Sequence, residues 1–230
     1  RQNGNPLLEP WRSTNYNLGL EWYYDSASLL SVGLFRMNID SFIEKGQVMK
    51  GLPDIDGVVR REVPVDTEIN GKGGTVKGVE VTWQQSFDFL PGIWSGLGTT
   101  LNYTYAPSDS ANKDVYGATL PIQDNSENSG NAVLWYEKDG LQLRVAANYR
   151  SDRLDSLAIP LGKGVVPIWT QSTVYVDASA SYDLFEHSSV YLQVSNLTGE
   201  FENNYAQWRD HVIYQNVYEK RWTLGWRSRF

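Results

Sequence analysis

Apolar and polar residues alternate with a period of two along most of this chain, and the last segment shows the pattern most clearly. A strict period of two places alternate side chains on opposite faces of a β-strand, so the segment is predicted to be a strand with one apolar and one polar face. Its apolar parity holds Tyr218, Trp222, Leu224, Trp226 and Phe230, and its polar parity holds Glu219, Arg221, Thr223, Arg227 and Arg229.

The same alternation recurs upstream and predicts about nine strands in all, with no convincing helical repeat. The apolar segment that follows the first strand loses its clean alternation near Phe35, which predicts a β-bulge there. Each segment is compatible with the roughly 9–11 residues of a tilted membrane-spanning strand. The predicted strands cover 15–24, 29–43, 76–87, 97–105, 132–136, 141–150, 174–184, 190–195 and 218–230.

The connections between these strands alternate between short and long. Short ones lie at 25–28, 138–140 and 185–188, with a somewhat longer one at 88–96. Long, irregular loops are uncommon in compact soluble domains, whereas outer-membrane barrels combine short periplasmic turns with long extracellular loops. The long connections are 46–74, 106–130, 154–168 and 197–216.

The two strand faces favour a barrel in lipid over a soluble β-sandwich, which also alternates. Aromatic residues such as Trp22, Trp83 and Trp226 cluster near strand ends, as in the aromatic girdles of membrane barrels. The opposite faces carry charges such as Arg144 and Asp177, which suit a wet lumen. The expected fold is therefore an all-β, antiparallel transmembrane β-barrel.

Composition narrows the functional classes further. The chain has 230 residues, a formal net charge of -7, 13% aromatic residues and no Cys. The negative charge argues against a nucleic-acid partner, and the lack of Cys excludes disulfides and thiolate metal sites. No apolar run approaches the length of a membrane helix.

Strand parity predicts that the chain is part of something larger. Nine strands ending at a periplasmic C-terminus must begin on the outer side, whereas single-chain bacterial barrels have even strand numbers. We therefore expect residues 1–230 to be the C-terminal part of a larger barrel, with its earlier strands and any plug domain absent.

The first forty residues contain NPLLEPWRSTNYNLGLE followed by LSVGLFRMNIDSFI, and VKGVE and SNLTGEF occur further along the chain. These segments resemble the barrel of TonB-dependent outer-membrane receptors, a family in which the patterns NPxLxPExSxNYExGxE and LSVxxFxxxIxxFI recur together with similar strand and turn patterns. Trp11 departs from the pattern, because the family usually has an acidic residue after the proline. The matching residues are Asn5, Pro6, Leu8, Pro10, Ser13, Asn15, Tyr16, Gly19 and Glu21.

This resemblance implies a 22-stranded barrel in the outer membrane of a Gram-negative bacterium, with an N-terminal plug and a short TonB box. It implies four partners: outer-membrane lipid, the TonB complex through the plug and N-terminus, the barrel-assembly machinery, and a small-molecule or oligosaccharide substrate. Trp222, Leu224, Trp226 and Phe230 are expected to face lipid and to form the assembly signal, although Ser228 is more polar than that signal prefers. The segments FLPG, LNYTY, YEKDGLQLRVAANYR and VDASASYDL look most like the proteobacterial oligosaccharide-uptake branch of the family.

Candidate ligand-binding residues lie in the long outer loops, where aromatic rings could stack on sugar faces beside amides and charged groups. A ferric chelate would equally favour aromatics together with arginine, so a siderophore receptor remains the alternative within the family. The candidates are Tyr116, Trp169, Tyr205, Trp208, Arg209 and Tyr214.

Catalysis finds little support in the sequence. His187 and His211 lack metal-ligand spacing, and the glycine-rich segment at 71–74 lacks a phosphate-binding motif. We therefore predict no catalytic residue, no metal site and no cofactor. The expected function is TonB-powered import of a scarce nutrient, preferably an oligosaccharide such as a maltodextrin. A soluble β-sandwich carbohydrate-binding module and a passive porin are the rivals, and an enzyme is a more distant one.

Overall fold

The computed structural model describes residues 5–158 and 164–228, which form strands joined by turns and one short 3-10 helix at Gly92–Gly96. None of these residues belongs to a helix long and apolar enough to span a bilayer. The strands are β1 (Arg12–Asp25), β2 (Ser28–Pro53), β3 (Val59–Ser86), β4 (Leu97–Tyr105), β5 (Ser108–Ser110), β6 (Asn128–Lys138), β7 (Leu141–Arg150), β8 (Arg153–Ala158), β9 (Val166–Thr170), β10 (Thr173–Phe185), β11 (Ser188–Ser195), β12 (Phe201–Ala206), β13 (Val212–Val217) and β14 (Arg221–Ser228).

Nine of these strands form one antiparallel sheet in the order β1-β2-β3-β4-β6-β7-β10-β11-β14, and the short β5 joins it beside β3. Consecutive strands of this sheet pair with each other, as expected for an up-and-down barrel wall. Within the described ranges β1 pairs only with β2 and β14 only with β11, so the sheet is open. The predicted all-β, antiparallel fold and the count of about nine strands are confirmed.

The register places the apolar residues of neighbouring strands on one face. Leu224 of β14 lies opposite Leu192, which in turn is paired through β11 with Ala180 of β10. At the other edge of the sheet, Leu20 lies opposite Val32. Leu20 and Leu224 keep 73% and 80% of their surface exposed, which in a water-soluble sheet would be very unfavourable. This continuous apolar face, here called the lipid face, suits a hydrocarbon environment.

The opposite face, here called the lumenal face, carries the polar parity of every strand. Asn102 lies opposite Asn131, and Asn131 lies opposite Asn148 on the next strand. Thr82 donates from Oγ1 to Oδ1 of Asn102 at 2.8 Å, so side chains on this face bond across strands. Arg144 and Asp177 also belong to it by parity, as the sequence predicted.

The short turns gather at one end of the sheet, where aromatic side chains form a bonded cluster. The indole N–H of Trp83 donates to the Tyr24 hydroxyl at 2.8 Å, and that hydroxyl donates to Oε1 of Gln85 at 2.7 Å. The ring of Trp22 packs against Tyr24 with 5.2 Å between centroids. Rings with a bonded polar tip are typical of a membrane interface, so this end of the sheet has the character of a membrane boundary.

Close approach of a ring to the backbone explains two glycines on the lumenal face. A Cβ atom at Gly98 would collide with the ring of Trp135, and one at Gly78 would collide with the Tyr105 carbonyl oxygen and lie 2.7 Å from the ring of Phe35. Each large ring therefore lies close to the backbone of a neighbouring strand that has no side chain at that point. The glycines are required by packing rather than by a turn.

Two details of β2 and its neighbours differ from the sequence prediction. Residues 46–74 are not a loop, because β2 and β3 run on as a paired ribbon to Pro53 and Val59. The predicted bulge near Phe35 is wrong, because Phe35 stays in register with both neighbouring strands. The irregularity lies at Asp40, between Ile39, which is opposite Ser13, and Ser41, which is opposite Arg12. The ribbon could not be predicted because its sequence is polar and rich in glycine. A two-stranded ribbon does not need an apolar face, so it shows no clear alternation.

The last strand begins later than predicted. It begins at Arg221, so Glu219 and Tyr218 precede it, and it is described as far as Ser228. Arg229 and Phe230 lie outside the described residues. Trp222, Leu224 and Trp226 share one parity and lie opposite Val194, Leu192 and Val190.

Candidate functional site

The long outer connections fold into a second sheet instead of remaining irregular. The connection between β7 and β10 forms the hairpin β8–β9, and the connection between β11 and β14 forms the hairpin β12–β13. The two hairpins pair through β9 and β12, which gives a four-stranded sheet in the order β13-β12-β9-β8. The predicted loops 154–168 and 197–216 therefore contain strands.

A small buried core holds the two hairpins together. Leu154 and Asn204 are 1% and 2% exposed, and Thr170 is 2% exposed. The Asn204 amide donates from Nδ2 to Oγ1 of Thr170 at 2.9 Å, directly across the β9–β12 contact. A buried polar pair of this kind is stable only when its groups bond to each other, so the two hairpins are held in one relative position.

Asp152 is the centre of the candidate site. Its Oδ2 atom accepts from the Tyr205 hydroxyl at 2.7 Å and from Nε and a terminal nitrogen of Arg209 at 3.0 and 2.7 Å. Its Oδ1 atom accepts from the backbone N–H of Ser172 at 2.9 Å. One carboxylate thus ties the start of the β8–β9 hairpin to its end and to the β12–β13 hairpin.

The environment of Tyr205 fixes its protonation state. Burial, followed by the hydrogen bond and the negative charge of Asp152, raises the pKa of Tyr205 to about 12. The same carboxylate raises the pKa of Arg209, chiefly through its hydrogen bonds. Tyr205 therefore remains a hydrogen-bond donor, and Arg209 remains charged, at any physiological pH.

This shift gives a testable pH dependence. A group whose pKa rises on folding adds stability that is complete below its unfolded pKa and is lost as pH rises through its folded pKa. We expect the Asp152 contact to weaken between about pH 10 and pH 12. In a spectrophotometric titration, the variant Tyr205→Phe should lack one tyrosine that ionises near pH 12. Loss of a tyrosine that ionises near pH 10 would contradict the assignment.

A second contact joins the loop between β5 and β6 to the β12–β13 turn. Gln207 donates from Nε2 to Oδ2 of Asp114 at 2.9 Å, and the rings of Tyr116 and Trp208 lie 6.0 Å apart. Oδ1 of Asp114 accepts from the backbone N–H groups of Tyr116 and Ala118. The Gln207 bond, with these backbone bonds, lowers the pKa of Asp114, so the carboxylate stays ionised.

An ion-pair network lies beneath these contacts, at the junction with the barrel wall. Arg153 is 12% exposed and bonds to Glu202 at 2.9 Å and to Asp124 at 3.1 Å. Arg150 also pairs with Asp124, at 3.4 Å. Because Asp124, Arg153 and Glu202 come from three different connections, the three outer connections are linked into one unit.

A cavity of about 420 Å³ opens between these connections and the top of the wall. Half of its lining residues carry a hydroxyl or amide group, and the others are two aromatic residues, one proline, two carboxylates and one guanidinium. Arg209 is the only cation among the described lining residues, and Asp152 neutralises it. The lining comprises Ser108, Thr119, Pro121, Asn125, Glu127, Asn128, Tyr149, Ser151, Asp152, Trp169, Ser172 and Arg209.

The structure brings five of the six candidate residues together. Trp169 and Arg209 line the cavity, while Tyr205 is 7% exposed and supports Asp152 from below. Tyr116 and Trp208 are 70% and 48% exposed and pack on each other through the second contact. The sixth, Tyr214, lies apart on β13.

On β13, Tyr214 is opposite Asn204. Burial, the charge of Asp155 and a hydrogen bond to it raise the pKa of Tyr214. Tyr214 thus contacts Asp155 of β8 and does not line the cavity.

Sequence reasoning missed Asp152, Glu127 and Tyr149. Tyr149 belongs to the lipid-facing parity of β7, and only its position at the outer end of that strand brings it to the cavity. Asp152 sits two residues beyond a predicted strand end, where a polar residue is ordinary. The three residues that donate to Asp152 are Ser172, Tyr205 and Arg209, which lie 20 to 57 residues away in sequence. No local sequence pattern reveals such contacts.

Comparison with known proteins identifies a family and several structures that are similar to this chain. A family model described as TonB dependent receptor-like, beta-barrel, matches residues 1–197. No curated protein sequence matches the chain.

Several solved structures share the fold. A mutant of the ferric enterobactin receptor of Pseudomonas aeruginosa matches with a TM-score of 0.62 and 16% identity, over 99% of this chain and 32% of that one. The ferric-catecholate import receptor Fiu of E. coli matches with a TM-score of 0.62 and 17% identity, over 96% of this chain and 28% of that one. The ferripyoverdine receptor of P. aeruginosa matches with a TM-score of 0.63 and 15% identity, over 96% of this chain and 28% of that one. The chain therefore spans about a third of the length of these structures.

Proposed function

The chain belongs to the TonB-dependent receptor family, in its β-barrel domain, and from that premise we propose that it is part of a receptor that actively imports a scarce nutrient. Members of this family lie in the outer membrane of Gram-negative bacteria, and that is the location of this chain. The single observation that carries the proposal is the outer cavity, which three linked connections enclose above an open barrel wall. A cavity with convergent polar groups and aromatic rings is the usual form of a small-molecule site.

The wall described above supports the larger architecture that we propose. An open nine-stranded sheet leaves unpaired edges at β1 and β14, and such edges are unstable in lipid unless other strands pair with them. We propose that preceding strands complete a 22-stranded barrel around a plug, so that residues 1–230 are its C-terminal part. Energy would come from the TonB complex through the plug and N-terminus, and the barrel-assembly machinery would insert the chain. The protein itself would perform no covalent chemistry.

The chemistry of the cavity favours a neutral, polyhydroxylated ligand, for which we propose an oligosaccharide such as a maltodextrin. Trp169 and Tyr149 offer rings to a sugar face, while hydroxyl and amide groups such as Asn128 can bond to sugar hydroxyls. Glu127 and Asp152 outnumber the single cation Arg209, so the described lining has a net negative charge. An anionic ligand would meet repulsion there.

A ferric chelate is the second candidate, and one observation favours it. The solved structures described above are named as receptors for ferric enterobactin, ferric catecholates and ferripyoverdine. Their identities to this chain are 17% or lower, which establishes a shared fold only. An anionic chelate would have to separate Arg209 from Asp152 before it could use the guanidinium.

Titration of the intact receptor with maltodextrins and with ferric chelates tests the proposal. We expect maltodextrin binding, and we expect Trp169→Ala to weaken it about tenfold, because stacking on one aromatic face contributes roughly 1–1.5 kcal/mol. Trp169→Phe is the matched control, since it keeps a ring at the same place and should retain most of the affinity. Isothermal titration calorimetry in detergent gives both constants.

Binding of ferric chelates without any sugar binding would replace the oligosaccharide with the second candidate. Binding of neither, together with no uptake defect after deletion of the gene on minimal media, would contradict the import proposal itself.

A further inference from the structure

A second cavity lies on the lumenal face, at the end of the sheet that holds the short turns. Its volume is about 730 Å³, which is within the usual range for a small-molecule site. Five neighbouring strands contribute to it, β6, β7, β10, β11 and β14. Because short turns mark the periplasmic side of outer-membrane barrels, this inner cavity lies at the opposite end of the wall from the outer connections.

Short hydroxyl and amide side chains form the floor of the inner cavity. Ser179 of β10 lies opposite Gln193 of β11, and Ser181 follows on the same face of β10. Ser181 donates from Oγ to Oε1 of Gln142 at 3.4 Å. Ser179 and Gln193 make no side-chain hydrogen bond to another described residue. Their hydroxyl and amide groups are therefore available to donate to a ligand and to accept from it.

Two aromatic rings border this floor, Trp135 on the β6 side and Tyr191 on the β11 side. A Cβ atom at Gly225 would collide with the Tyr191 ring, and Trp135 has the same relation to Gly98. Each ring therefore extends along the wall toward the next strand and leaves the space above the serines open. Aromatic rings beside hydroxyl and amide groups can hold a sugar, since a ring covers the apolar face of a pyranose while polar groups bond to its hydroxyls.

The inner cavity and the outer cavity lie on the same strands of the wall. On β6, Asn128 lines the outer cavity and Trp135 lines the inner one, so about 24 Å of strand separates them. Between the two, Asn131, Asn148 and Tyr175 form one row across β6, β7 and β10 on the lumenal face. This row carries amide and hydroxyl groups and no charge. A neutral polar ligand therefore meets bonding groups between the two cavities.

Charge distinguishes among the ligands that fit such a cavity. The described lining carries three carboxylates, two guanidinium groups and one imidazole, so with a neutral imidazole its net charge is negative and disfavours an anionic chelate. None of the described lining residues with lumenal parity is aliphatic, whereas a docked protein segment buries an apolar core. A neutral, polyhydroxylated ligand meets neither obstacle. The charged lining residues are Glu137, Asp183, Glu186, Arg144 and Arg227, and the imidazole is that of His187.

We propose that the inner cavity is a second binding site for the imported oligosaccharide, which it holds after the ligand leaves the outer cavity and before release into the periplasm. This proposal rests on the function proposed above, since the ligand class is the same. Ser179, Ser181 and Gln193 bond to sugar hydroxyls, and Trp135 and Tyr191 pack against the sugar rings. Because the proposed plug lies in the lumen, we expect the site to fill only when the TonB complex is energised.

Photolabelling in living cells tests whether a sugar reaches the inner cavity. Cells that produce the full-length receptor are given a maltodextrin that carries a diazirine and are irradiated, and the labelled peptides are identified by mass spectrometry. We expect label on β10 and β11 near Ser179 and Gln193, and on the outer connections near Trp169. In cells treated with an uncoupler of the proton-motive force, only the outer label should remain.

The variant Ser179→Trp tests the same site by filling it. Its indole should occupy the space of one sugar ring, so we expect uptake by energised cells to fall about tenfold. The affinity of the purified full-length receptor for maltodextrin should stay within about twofold, because the outer cavity is unchanged. The matched control is Ala178→Trp, which changes the preceding residue of β10. Ala178 lies opposite Val194 on the lipid face, so this variant should leave uptake unchanged.

The possible outcomes separate this proposal from the proposed function. Label confined to the outer connections in energised cells would overturn the inner site and leave the proposed function standing, as would normal uptake by the Ser179→Trp variant. If that variant instead admits an antibiotic that is too large for porins, the cavity holds a segment of the plug, which would also overturn the inner site. A receptor that binds no maltodextrin at all would contradict the proposed function, and the inner site with it.

Discussion

Asp152→Ala is expected to weaken ligand binding by the intact receptor about a hundredfold. The change removes the shared acceptor of the Tyr205 hydroxyl, the Arg209 guanidinium and the Ser172 N–H. A buried donor left without an acceptor costs roughly 1–3 kcal/mol, and Tyr205 is only 7% exposed. Much of the effect should come from Tyr205 and the Ser172 N–H, because Arg209 is 65% exposed and its ion pair is screened by water.

The conservative variant Asp152→Asn separates packing from charge. Its amide oxygen can still accept from Tyr205, so the two hairpins should stay joined, while Arg209 loses its counter-charge. If the ligand is a neutral sugar, its affinity should fall by less than about tenfold. If the ligand is an anionic ferric chelate, its affinity should rise, because a free guanidinium becomes available. Calorimetric titration of both variants with both ligands measures the outcome.

An Asp152→Ala receptor that binds its ligand as tightly as the unaltered one would show that the cavity is not the binding site. Thr173→Ala would be a poor control, because that residue is 3% exposed. Ser156→Ala suits the purpose better: it lies on the same hairpin, is only partly buried, and donates to the neighbouring Asp155 instead of to Asp152.

Leu224→Arg is expected to destabilise the folded barrel by about 2–3 kcal/mol, because it places a charge in the hydrocarbon layer. Leu224 is 80% exposed on the lipid face, and Trp222 and Trp226 flank it along β14. Leu224 also lies opposite Leu192 of β11, which belongs to the same apolar face, so an arginine at this position would face hydrocarbon. Urea titration of the full-length receptor in lipid vesicles gives the change in the free energy of unfolding.

The neighbouring substitution Thr223→Arg is the matched control. Thr223 lies opposite Gln193 on the lumenal face, where Arg227 already packs over the Tyr191 ring at 5.8 Å. An arginine there stays in a polar environment and should cost less than about 1 kcal/mol. Equal destabilisation by the two variants would contradict the assignment of faces.

Much of the barrel wall could be predicted from local pattern alone. A period of two assigns both the strand and its two faces within ten residues, because the pleat sends alternate side chains to opposite sides. That is why β7 and β10 were predicted almost to their ends, and why Leu224 and Arg144 were assigned to opposite faces. The family motif in the first forty residues added the larger architecture.

The outer sheet was not predictable in this way. In β12, whose sequence is FENNYA, Asn204 and Tyr205 are both buried although they are adjacent, since a register shift separates them. Strict alternation would have placed them on opposite faces. The ribbon of β2 and β3 was likewise missed, because cross-strand pairing stabilises it without a continuous apolar stripe.

The sequence by itself thus determined the strands of the wall, their lipid and lumenal faces, the alternation of short and long connections, and the receptor family. Only the tertiary structure decided that the long connections form a sheet, and that Asp152 and Asp114 join them. The physical reason is the distance in sequence over which each kind of interaction acts. Burial patterns act between neighbours in sequence, whereas Gln207 and Asp114 are 93 residues apart and meet only because the wall brings their strands to the same end.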